Sequence, residues 1–444
     1  MVLAAAVCSL SGARAQELTA KGGKKRVMTL ADCIKEGIEN NYDVKLARLA
    51  RDVADNNVTS AQFLPVVTAN ATQNQDRLTR RDHFTDTDME KADYITNLVR
   101  GDVALSWRLF DGMNMFATRQ TQKELLSQGE LNLKNSMESL VADIAGQYYY
   151  LVTQLDRLKA TKRYLEISTI RYNQALEKYN IGSISGLEMK QAKIDLNADS
   201  STYVTRQMDI DNALVTLNQL MNSELSGKLV LCDTIIPNQE LQLGDINSRA
   251  EEHNSMLLMA RSGQRLAEFD LKSARSGRYP TLDFNSSYRL GRSSDTQLRP
   301  SYTNTNGLSW GFTASVKLFG GLETNRKIRN AKLGVQNNQL IYDQTLQNVR
   351  SNIQVQYNTY KKNLAMIAFE TESADVALLN LEAAMEMYRL GSMSGVEFRE
   401  IQRSYMQAVE RNLDAIFQAK TTEINLLYLG GEILDYPGFT PQEE

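Results

Sequence analysis

The stretch Tyr179–Met189 reads YNIGSISGLEM, and the stretch Tyr388–Phe398 reads YRLGSMSGVEF. Tyr, Gly, Ser, Ser, Gly and Glu recur in the same order and spacing, shifted by 209 residues (388 − 179). Glycine tolerates the backbone conformations that end a helix and reverse the chain. Since both stretches interrupt long segments with helical periodicity, each predicts the turn of a helical hairpin.

Long helices are predicted on both sides of each turn, over residues 113–222 and 322–429. No proline lies between 66 and 236 or between 301 and 436, and a proline inside a helix costs about 3 kcal/mol. The apolar residues step by three and four, as in a heptad seam: Ile144, Tyr148, Leu151, Leu155, Leu158 and Leu165, then Val349, Ile353, Tyr357, Tyr360, Leu364 and Ile367. At 1.5 Å per residue, each run before a turn is about 100 Å long, which predicts a coiled-coil architecture.

Four other segments alternate apolar and polar residues with the period of a β-strand. They form two predicted β-hairpins, at 66–109 and 281–319, joined by the polar loops Gln75–Thr96 and Gly291–Asn306. The residues that share one face are Val67, Ala69, Ala71, Val99, Gly101, Val103, Leu105, Trp107, Leu109, Leu282, Phe284, Ser286, Tyr288, Leu290, Leu308, Trp310, Phe312, Ala314, Val316 and Leu318. Strands of about ten residues span a bilayer when tilted. The alternative is a soluble sheet with one solvated face.

The repeat extends beyond the turns. The sequence LFDG at Leu109–Gly112 matches LFGG at Leu318–Gly321 with the same shift, and Leu64-Pro65 matches Tyr279-Pro280 with a shift of 215 residues. A fixed internal period indicates a unit that is written twice. The predicted division of the chain is a signal peptide at 1–15, a first repeat at 16–236, a second repeat at 237–431 and a tail at 432–444.

The N-terminal segment predicts export. Its apolar run ends in Ala13-Arg14-Ala15, the small-residue pattern of a signal-peptide cleavage site. Cys8 follows Val7 rather than a small residue, so plain export is favoured over lipidation. Cys33 and Cys232 then remain, and two separate thiols are expected rather than a disulfide framework.

Composition argues against several functional classes. The 50 basic and 53 acidic residues give a net charge of −3, whereas nucleic-acid partners call for a basic surplus. His83 and His253 are the only histidines, and no Gly-rich phosphate loop or nucleophile elbow occurs. The 16 methionines are scattered, so helix packing is favoured over copper binding. We expect no catalytic site, no metal and no cofactor.

Four strands cannot close a barrel, because closed barrels begin at about eight strands. Open strand edges are not tolerated in lipid, so other copies of the chain must complete the sheet. A dimer supplies eight strands and a trimer twelve. Polar residues on the inner face of every strand favour the larger, water-filled lumen.

In these features the chain resembles the TolC-like outer-membrane efflux proteins. The resemblance runs from Leu30–Ala47, with its Asn40-Asn41 pair, through the Leu64-Pro65 strand entry, the two Leu-Phe-x-Gly strand exits and the two Tyr-x-x-Gly turns. It implies a homotrimer with a twelve-stranded β-barrel in outer-membrane lipid and a periplasmic α-barrel. It also implies an exit duct for tripartite efflux or type I secretion, with a separate periplasmic adaptor and an inner-membrane RND or ABC transporter. The alternative is a non-transporting trimeric coiled-coil surface protein.

The resemblance also implies site residues. The tips that dock the adaptor correspond to Tyr179, Gly182, Ser183, Gly186, Tyr388, Gly391, Ser392 and Gly395, where the glycines alternatively serve only the turn. Glu397 and Glu400 align with the acidic residues of the family's pore constriction, although carboxylates in a first helical turn also favour the helix dipole. Met393 stands where the best-studied member of the family has an arginine that locks the duct, so the chain departs from the family pattern at that position.

Overall fold

The computed structural model describes residues 26–84, 87–225, 229–230, 234–295 and 302–435. Within them, two short helices, a β-hairpin, a very long helix and a shorter returning helix follow one another twice. In chain order the elements are β1 (Arg26–Val27), α1 (Leu30–Asn40), α2 (Tyr42–Asn56), β2 (Val66–Phe84), β3 (Thr87–Asp111), α3 (Asn114–Asn180), α4 (Gly186–Met221), β4 (Leu229–Val230), α5 (Leu243–His253), α6 (Ser255–Ser276), β5 (Thr281–Asp295), β6 (Tyr302–Ser315), α7 (Glu323–Arg389) and α8 (Gly395–Gly430).

The two helical hairpins have matching lengths. Helices α3 and α7 both contain 67 residues, and α4 and α8 both contain 36. The heptad seam predicted in α3 is buried where it is best defined, since Ile144 and Tyr148 are 0% exposed. Its counterpart in α7 is buried at Ile353 and Tyr360. The period of the apolar residues, rather than helix propensity alone, therefore fixes which face of each long helix turns inward.

Three apolar clusters hold the helices together along their length. The largest joins α1, α3, α4 and the end of α8 around Tyr148 and Leu217. A second joins α5, α7 and α8 around Tyr360. The third lies near the hairpin turns, where Ile167 of α3 meets Phe398 of α8. The third cluster is the one that positions the candidate site.

Two asparagines connect the short helices to the hairpins. The Asn41 side-chain oxygen accepts a hydrogen bond from the backbone N–H of Asp43 at 2.8 Å, and its amide donates to the Leu220 carbonyl at 2.9 Å. Asn254 makes the equivalent bond to the Leu429 carbonyl at 2.9 Å. Each asparagine thus begins one helix and satisfies a carbonyl in the last turn of another.

The strands form one antiparallel sheet in the order β2-β3-β5-β6. Both hairpins have the same register under the repeat, since Val66 lies opposite Ser106 and Thr281 lies opposite Ser315. Strands β3 and β5 join the two repeats at the centre of the sheet. Strands β2 and β6 are its two open edges.

The loop predictions were wrong. The segments Gln75–Thr96 and Gly291–Asn306 largely continue the ladders, so that Asp82 lies opposite Glu90 and Ser294 opposite Tyr302. Strand pairing is made by main-chain hydrogen bonds, which do not depend on an apolar side-chain face. The alternation pattern therefore marked only part of each strand.

The second strand exit also differs from prediction, because β6 ends at Ser315 rather than at 319. In the first repeat, β3 continues to Asp111 because β5 pairs with it there. Among the described strands, none pairs with the outer side of β6, and Leu318 and Phe319 are 92% and 81% exposed. The short parallel pair of β1 and β4 was not predicted at all.

No helix in the described part of the chain has both the length and the apolar character needed to cross a membrane. Cys33 is buried in the first apolar cluster. The predicted signal peptide, Cys8 and Cys232 lie outside the described residues, as does the side chain of His83.

Candidate functional site at the hairpin tips

Each hairpin turn is a helix C-cap closed by two backbone hydrogen bonds. At the first tip, the Gly182 N–H donates to the Tyr179 carbonyl at 2.9 Å, and the Ser183 N–H donates to the Lys178 carbonyl at 2.8 Å. Gly182 has a φ of +74°, a left-handed conformation in which glycine avoids the strain of a Cβ atom. This is the pairing of a Schellman motif, which ends the helix and turns the chain.

The second tip repeats this geometry residue by residue. Gly391 has a φ of +79° and donates to the Tyr388 carbonyl at 3.2 Å. Ser392 donates its N–H to the Met387 carbonyl at 3.0 Å. Both glycines therefore have the left-handed conformation and the hydrogen bonds of a turn that ends a helix.

The next helix begins four residues after the left-handed glycine at each tip. Ser185 caps α4, and Ser394 caps α8, by accepting a hydrogen bond from the backbone N–H three residues on. A Cβ atom on Gly186 would lie 3.3 Å from the ring of Tyr179, so the tyrosine packs directly on the glycine backbone. The Tyr-Gly-Ser-Ser-Gly pattern thus builds a compact reversal with little side-chain bulk.

The two tip tyrosines differ in exposure. Tyr388 is 8% exposed, because it stacks on Phe398 with ring centroids 5.2 Å apart and Lys178 of the first hairpin lies 4.8 Å from its ring. This burial raises the pKa of Tyr388. Tyr179 is 44% exposed. The first hairpin therefore covers Tyr388 of the second tip, whereas Tyr179 of the first tip is open to solvent.

Glu397 has a local role at the start of α8. Its carboxylate accepts hydrogen bonds from the Ser394 backbone N–H at 3.0 Å and the Ser394 hydroxyl at 2.9 Å, which completes a capping box. These bonds from Ser394 hold the pKa of Glu397 below its usual range. Glu400, one turn later, is exposed. The structure thus gives Glu397 a role in starting helix α8, as expected for a carboxylate in the first turn of a helix.

The methionines near the second tip are packing residues. Met385 and Met393 lie against the third apolar cluster with Leu381. In the described part of the chain, no group of three or more His, Cys, Asp and Glu side chains is arranged to hold a metal ion.

A buried ion cluster behind the tips was missed from the sequence. Arg399 of α8 donates to both carboxylate oxygens of Asp199 of α4, each at 2.8 Å. Arg171 of α3 pairs with Asp195 of α4, also at 2.8 Å. All four side chains are between 5% and 11% exposed. The cluster joins three helices from both repeats.

Neutral groups complete the cluster. The Ser168 hydroxyl donates to Asp199 at 2.5 Å, and the Gln402 amide donates to the Ser168 hydroxyl at 2.8 Å. Arg399 lies 5.4 Å from the ring of Tyr164, and burial raises the pKa of that phenol to about 12. The available signal in the sequence was the spacing of four between Asp195 and Asp199, which places two carboxylates on one helical face.

Comparison with known proteins independently supports the resemblance to outer-membrane efflux proteins. The family model described as outer membrane efflux protein matches residues 33–223 and 246–432. The chain is 19% identical to the outer membrane protein TolC of Escherichia coli K12 over 345 residues, which cover 74% of this chain and 69% of TolC. It is 21% identical to the cation efflux system protein CusC of the same strain over 425 residues, covering 90% and 85%.

The fold agrees with that of a solved outer-membrane channel. The crystal structure of the Campylobacter jejuni CmeC outer membrane channel matches with a TM-score of 0.77 at 16% identity, covering 100% of this chain and 95% of that one. The match to the family model covers both repeats and most of the chain, and the predicted resemblance is confirmed. No comparison supports a non-transporting surface protein. The chain therefore belongs to the outer membrane efflux protein family.

Proposed function

We propose that the protein is a non-enzymatic exit duct of the outer membrane, through which a tripartite efflux or type I secretion system passes its cargo to the exterior. The observation that carries this proposal is one sheet with two open edges, continued by two helical hairpins of equal length. Open edges call for further copies of the chain in lipid, and long matched hairpins form the wall of a tube.

A homotrimer with twelve strands is the assembly that we infer. Large apolar side chains on the sheet are exposed in the isolated chain, among them Trp310 (67%) and Phe312 (61%), as expected for residues that face outer-membrane lipid. Polar residues alternate with them and face the lumen. The helical hairpins then extend into the periplasm.

The tips are the proposed contact with a periplasmic adaptor, which in turn engages an RND or ABC transporter of the inner membrane. The compact turns at Gly182 and Gly391 leave little side-chain bulk between α3 and α4 or between α7 and α8. A partner can therefore approach the backbone closely. No nucleic-acid partner is proposed.

Glu397 and Glu400 are the proposed acidic constriction at the periplasmic mouth. Residues three apart lie on one side of a helix, so a threefold axis brings six carboxylates around one aperture. Rings of carboxylates favour cations in pores. The capping role of Glu397 is compatible with this, because its carboxylate remains exposed.

Conductance tests the proposal. Detergent-solubilised protein is sized by mass measurement and then inserted in a planar bilayer, where trimers are expected to conduct ions. Folded trimers without conductance would favour the surface-protein alternative, and a stable monomer that spans the membrane would exclude the trimeric duct. The cargo is expected to be set by the pump, so the transporter class encoded beside this gene distinguishes efflux from secretion.

A further inference from the structure

We propose that Arg292, stacked on Tyr302, binds a phosphate group of lipid A in the outer leaflet of the membrane. The two residues lie on the apolar face of the sheet, which also carries Trp310 and Phe312. They lie near the end of β5 and the start of β6, at the edge of the sheet farthest from the helices. The inference rests on the outer-membrane placement proposed above and adds a specific lipid ligand to it.

The charged residues of the sheet are divided unequally between its two faces. The part of the sheet between the Asn97–Ser294 pair and the ends that join the helices contains these ionised side chains: Arg100, Asp102, Arg108, Asp111, Asp283, Arg289 and Arg292. All of them except Arg292 share one face by register, and on that face Arg108 donates to Asp283 at 2.9 Å. Arg292 alone lies on the apolar face.

The surroundings of Arg292 on this face carry no negative charge. Val99 and Asn304 lie beside it on the neighbouring strands, and Leu290 precedes it on β5. Among the residues that the structure describes, none with a carboxylate forms an ion pair with Arg292. A cation at the edge of an apolar surface is stabilised when an anion meets it there. Because the carboxylates of this part of the sheet lie on the other face, that anion has to come from the surrounding lipid.

The position of Arg292 matches the outer boundary of the hydrocarbon layer. Leu282, Phe284, Tyr288 and Leu290 precede it on the same face of β5. The ten steps from Leu282 to Arg292 cover about 34 Å along the strand, at about 3.4 Å per residue. A strand tilted by about 35–45° rises about 24–28 Å over this distance, which is close to the height of the apolar band of outer-membrane barrels, about 25 Å. At that height a side chain meets the lipid headgroups.

Tyr302 supports the guanidinium from one side. The Arg292 Cζ atom lies 4.7 Å from the centroid of the Tyr302 ring. Ser294 lies opposite Tyr302, and Arg292 lies opposite Asn304, so the stack crosses diagonally from β5 to β6. The N–H groups of arginine point outward in the plane of the guanidinium, so stacking on the ring does not use them.

The donors on this face suit a phosphate. The guanidinium fork matches two phosphate oxygens, and such charge-assisted bonds are stronger than neutral ones. Asn304 is directly opposite Arg292, where Cβ atoms are about 4.5–5.5 Å apart, and its amide can donate to a further oxygen.

The residues below Arg292 suit an acyl chain. Tyr288 and Leu290 are 47% and 52% exposed on the same face. Lipid A joins phosphorylated sugars to acyl chains, and it is the characteristic lipid of the outer leaflet. Since the strands meet the periplasmic helices at their opposite ends, Arg292 faces that leaflet.

Native mass spectrometry of the detergent-solubilised full-length protein tests the site, with bisphosphorylated lipid A as the probe. Arg292→Gln is expected to lower the affinity for lipid A by about tenfold, because it removes the charge-assisted hydrogen bonds to one phosphate. Arg292→Lys keeps the charge without the fork and is expected to bind with intermediate affinity. Equal affinities of the parent and Arg292→Gln would overturn the proposal.

Arg100→Gln is the matched control. Arg100 is exposed and lies opposite Gly291, at nearly the same height as Arg292 but on the other face. This variant loses the same charge and is expected to keep the parent affinity for lipid A. Tyr302→Leu should weaken binding, whereas Tyr302→Phe retains the ring and should not. Equal losses in Arg100→Gln and Arg292→Gln would show a response to overall charge and would overturn the site.

Further probes identify the ligand. Lipid A without its phosphates is expected to bind the parent no better than it binds Arg292→Gln. Inorganic phosphate at millimolar concentration is expected not to displace lipid A. Displacement by inorganic phosphate would indicate a site for free anions. Phosphatidylglycerol that binds as tightly, with the same dependence on Arg292, would indicate a phospholipid site, and either result would overturn the assignment of lipid A.

Conductance separates this inference from the proposed function. Trimers that conduct ions but bind lipid A independently of Arg292 would overturn the lipid site and leave the duct intact. Monomers without conductance would remove the proposed function, and the lipid site with it, because the site depends on the outer-membrane placement.

Discussion

Arg399 and Asp199 form a bidentate ion pair with both hydrogen bonds at 2.8 Å, and they lie 200 residues apart in different repeats. Burial alone would lower the pKa of Arg399, but hydrogen bonding to Asp199 and the surrounding negative charge outweigh it and raise the pKa. The guanidinium is therefore charged throughout the accessible pH range. Removing only one partner of such a buried ion pair is expected to destabilise the fold.

We expect Asp199→Asn to destabilise the trimer strongly. Removing one partner of a buried ion pair leaves an uncompensated charge, at a cost of about 3–5 kcal/mol. The measurement is the thermal unfolding of the detergent-solubilised protein. Replacing both partners, as in Asp199→Leu/Arg399→Met, is expected to cost less than the single change.

An exposed pair provides the comparison. Lys159 and Asp156 are 2.8 Å apart, but the lysine side chain is 79% exposed. Asp156→Asn is therefore expected to change stability by about 0–1 kcal/mol. Equal effects of Asp156→Asn and Asp199→Asn would show that burial adds nothing to the Arg399 pair.

The buried carboxylate of Glu138 allows us to predict how the stability of the folded chain changes with pH. Its side chain is 1% exposed and burial raises its pKa, although the Ser255 hydroxyl donates to it at 2.7 Å. The folded chain thus binds this proton more tightly than the unfolded chain. The contribution of Glu138 to stability is fully present below the unfolded pKa of about 4.3 and is lost as pH rises through the folded pKa.

Glu138→Gln should therefore raise the melting temperature near neutral pH, and the gain should shrink as the pH approaches about 4. The neutral amide keeps an acceptor for Ser255 and carries no charge into the interior. Melting curves across this pH range are the measurement. Glu130→Gln, on an exposed position of the same helix, should show no such pH-dependent gain.

Valine at either tip glycine should block transport while leaving assembly intact. Gly182→Val and Gly391→Val force a β-branched residue into a left-handed conformation, which costs about 1–3 kcal/mol locally and distorts the turn. Transport with the cognate pump and the yield of trimers are both measured. Gly334→Ala, inside α7 where an added Cβ meets nothing within 4 Å, is the matched control. Transport that survives both valine changes would remove the tips from the adaptor interface.

The two acidic residues of the proposed constriction should contribute unequally to ion selectivity. The carboxylate of Glu397 is held by Ser394, whereas Glu400 is exposed one turn later. Glu400→Gln is therefore expected to reduce cation selectivity more than Glu397→Gln, and the double change should also weaken block by trivalent cations from the periplasmic side.

The pH dependence gives a second readout in the bilayer. Cation selectivity should weaken as pH falls, and the lowered pKa of Glu397 should keep its carboxylate charged below the usual range of a glutamate. A doubly substituted channel with unchanged selectivity and block would leave both residues as helix-start groups only.

The repeat made most of the fold predictable, because it appears directly as matched residues. The turns at Gly182 and Gly391 were located from the sequence to the residue, since only a few residue types serve a left-handed C-cap. The full length of the strands could not be predicted, because main-chain pairing does not require alternating apolar and polar side chains. The Arg399–Asp199 pair was missed for a different reason: its partners come from separate repeats, and no local pattern links positions 200 residues apart.

The equal lengths of the helices, 67 residues outward and 36 back in each repeat, restrict how the chain can change in size. Deleting one heptad from α3 alone would withdraw the first tip by about 10 Å relative to the second. It would also move Asp195 and Asp199 out of register with Arg399. Insertions and deletions in the helices can therefore persist only when all four long helices change by matching lengths. The length of the helical tube thus changes as a whole and not one helix at a time.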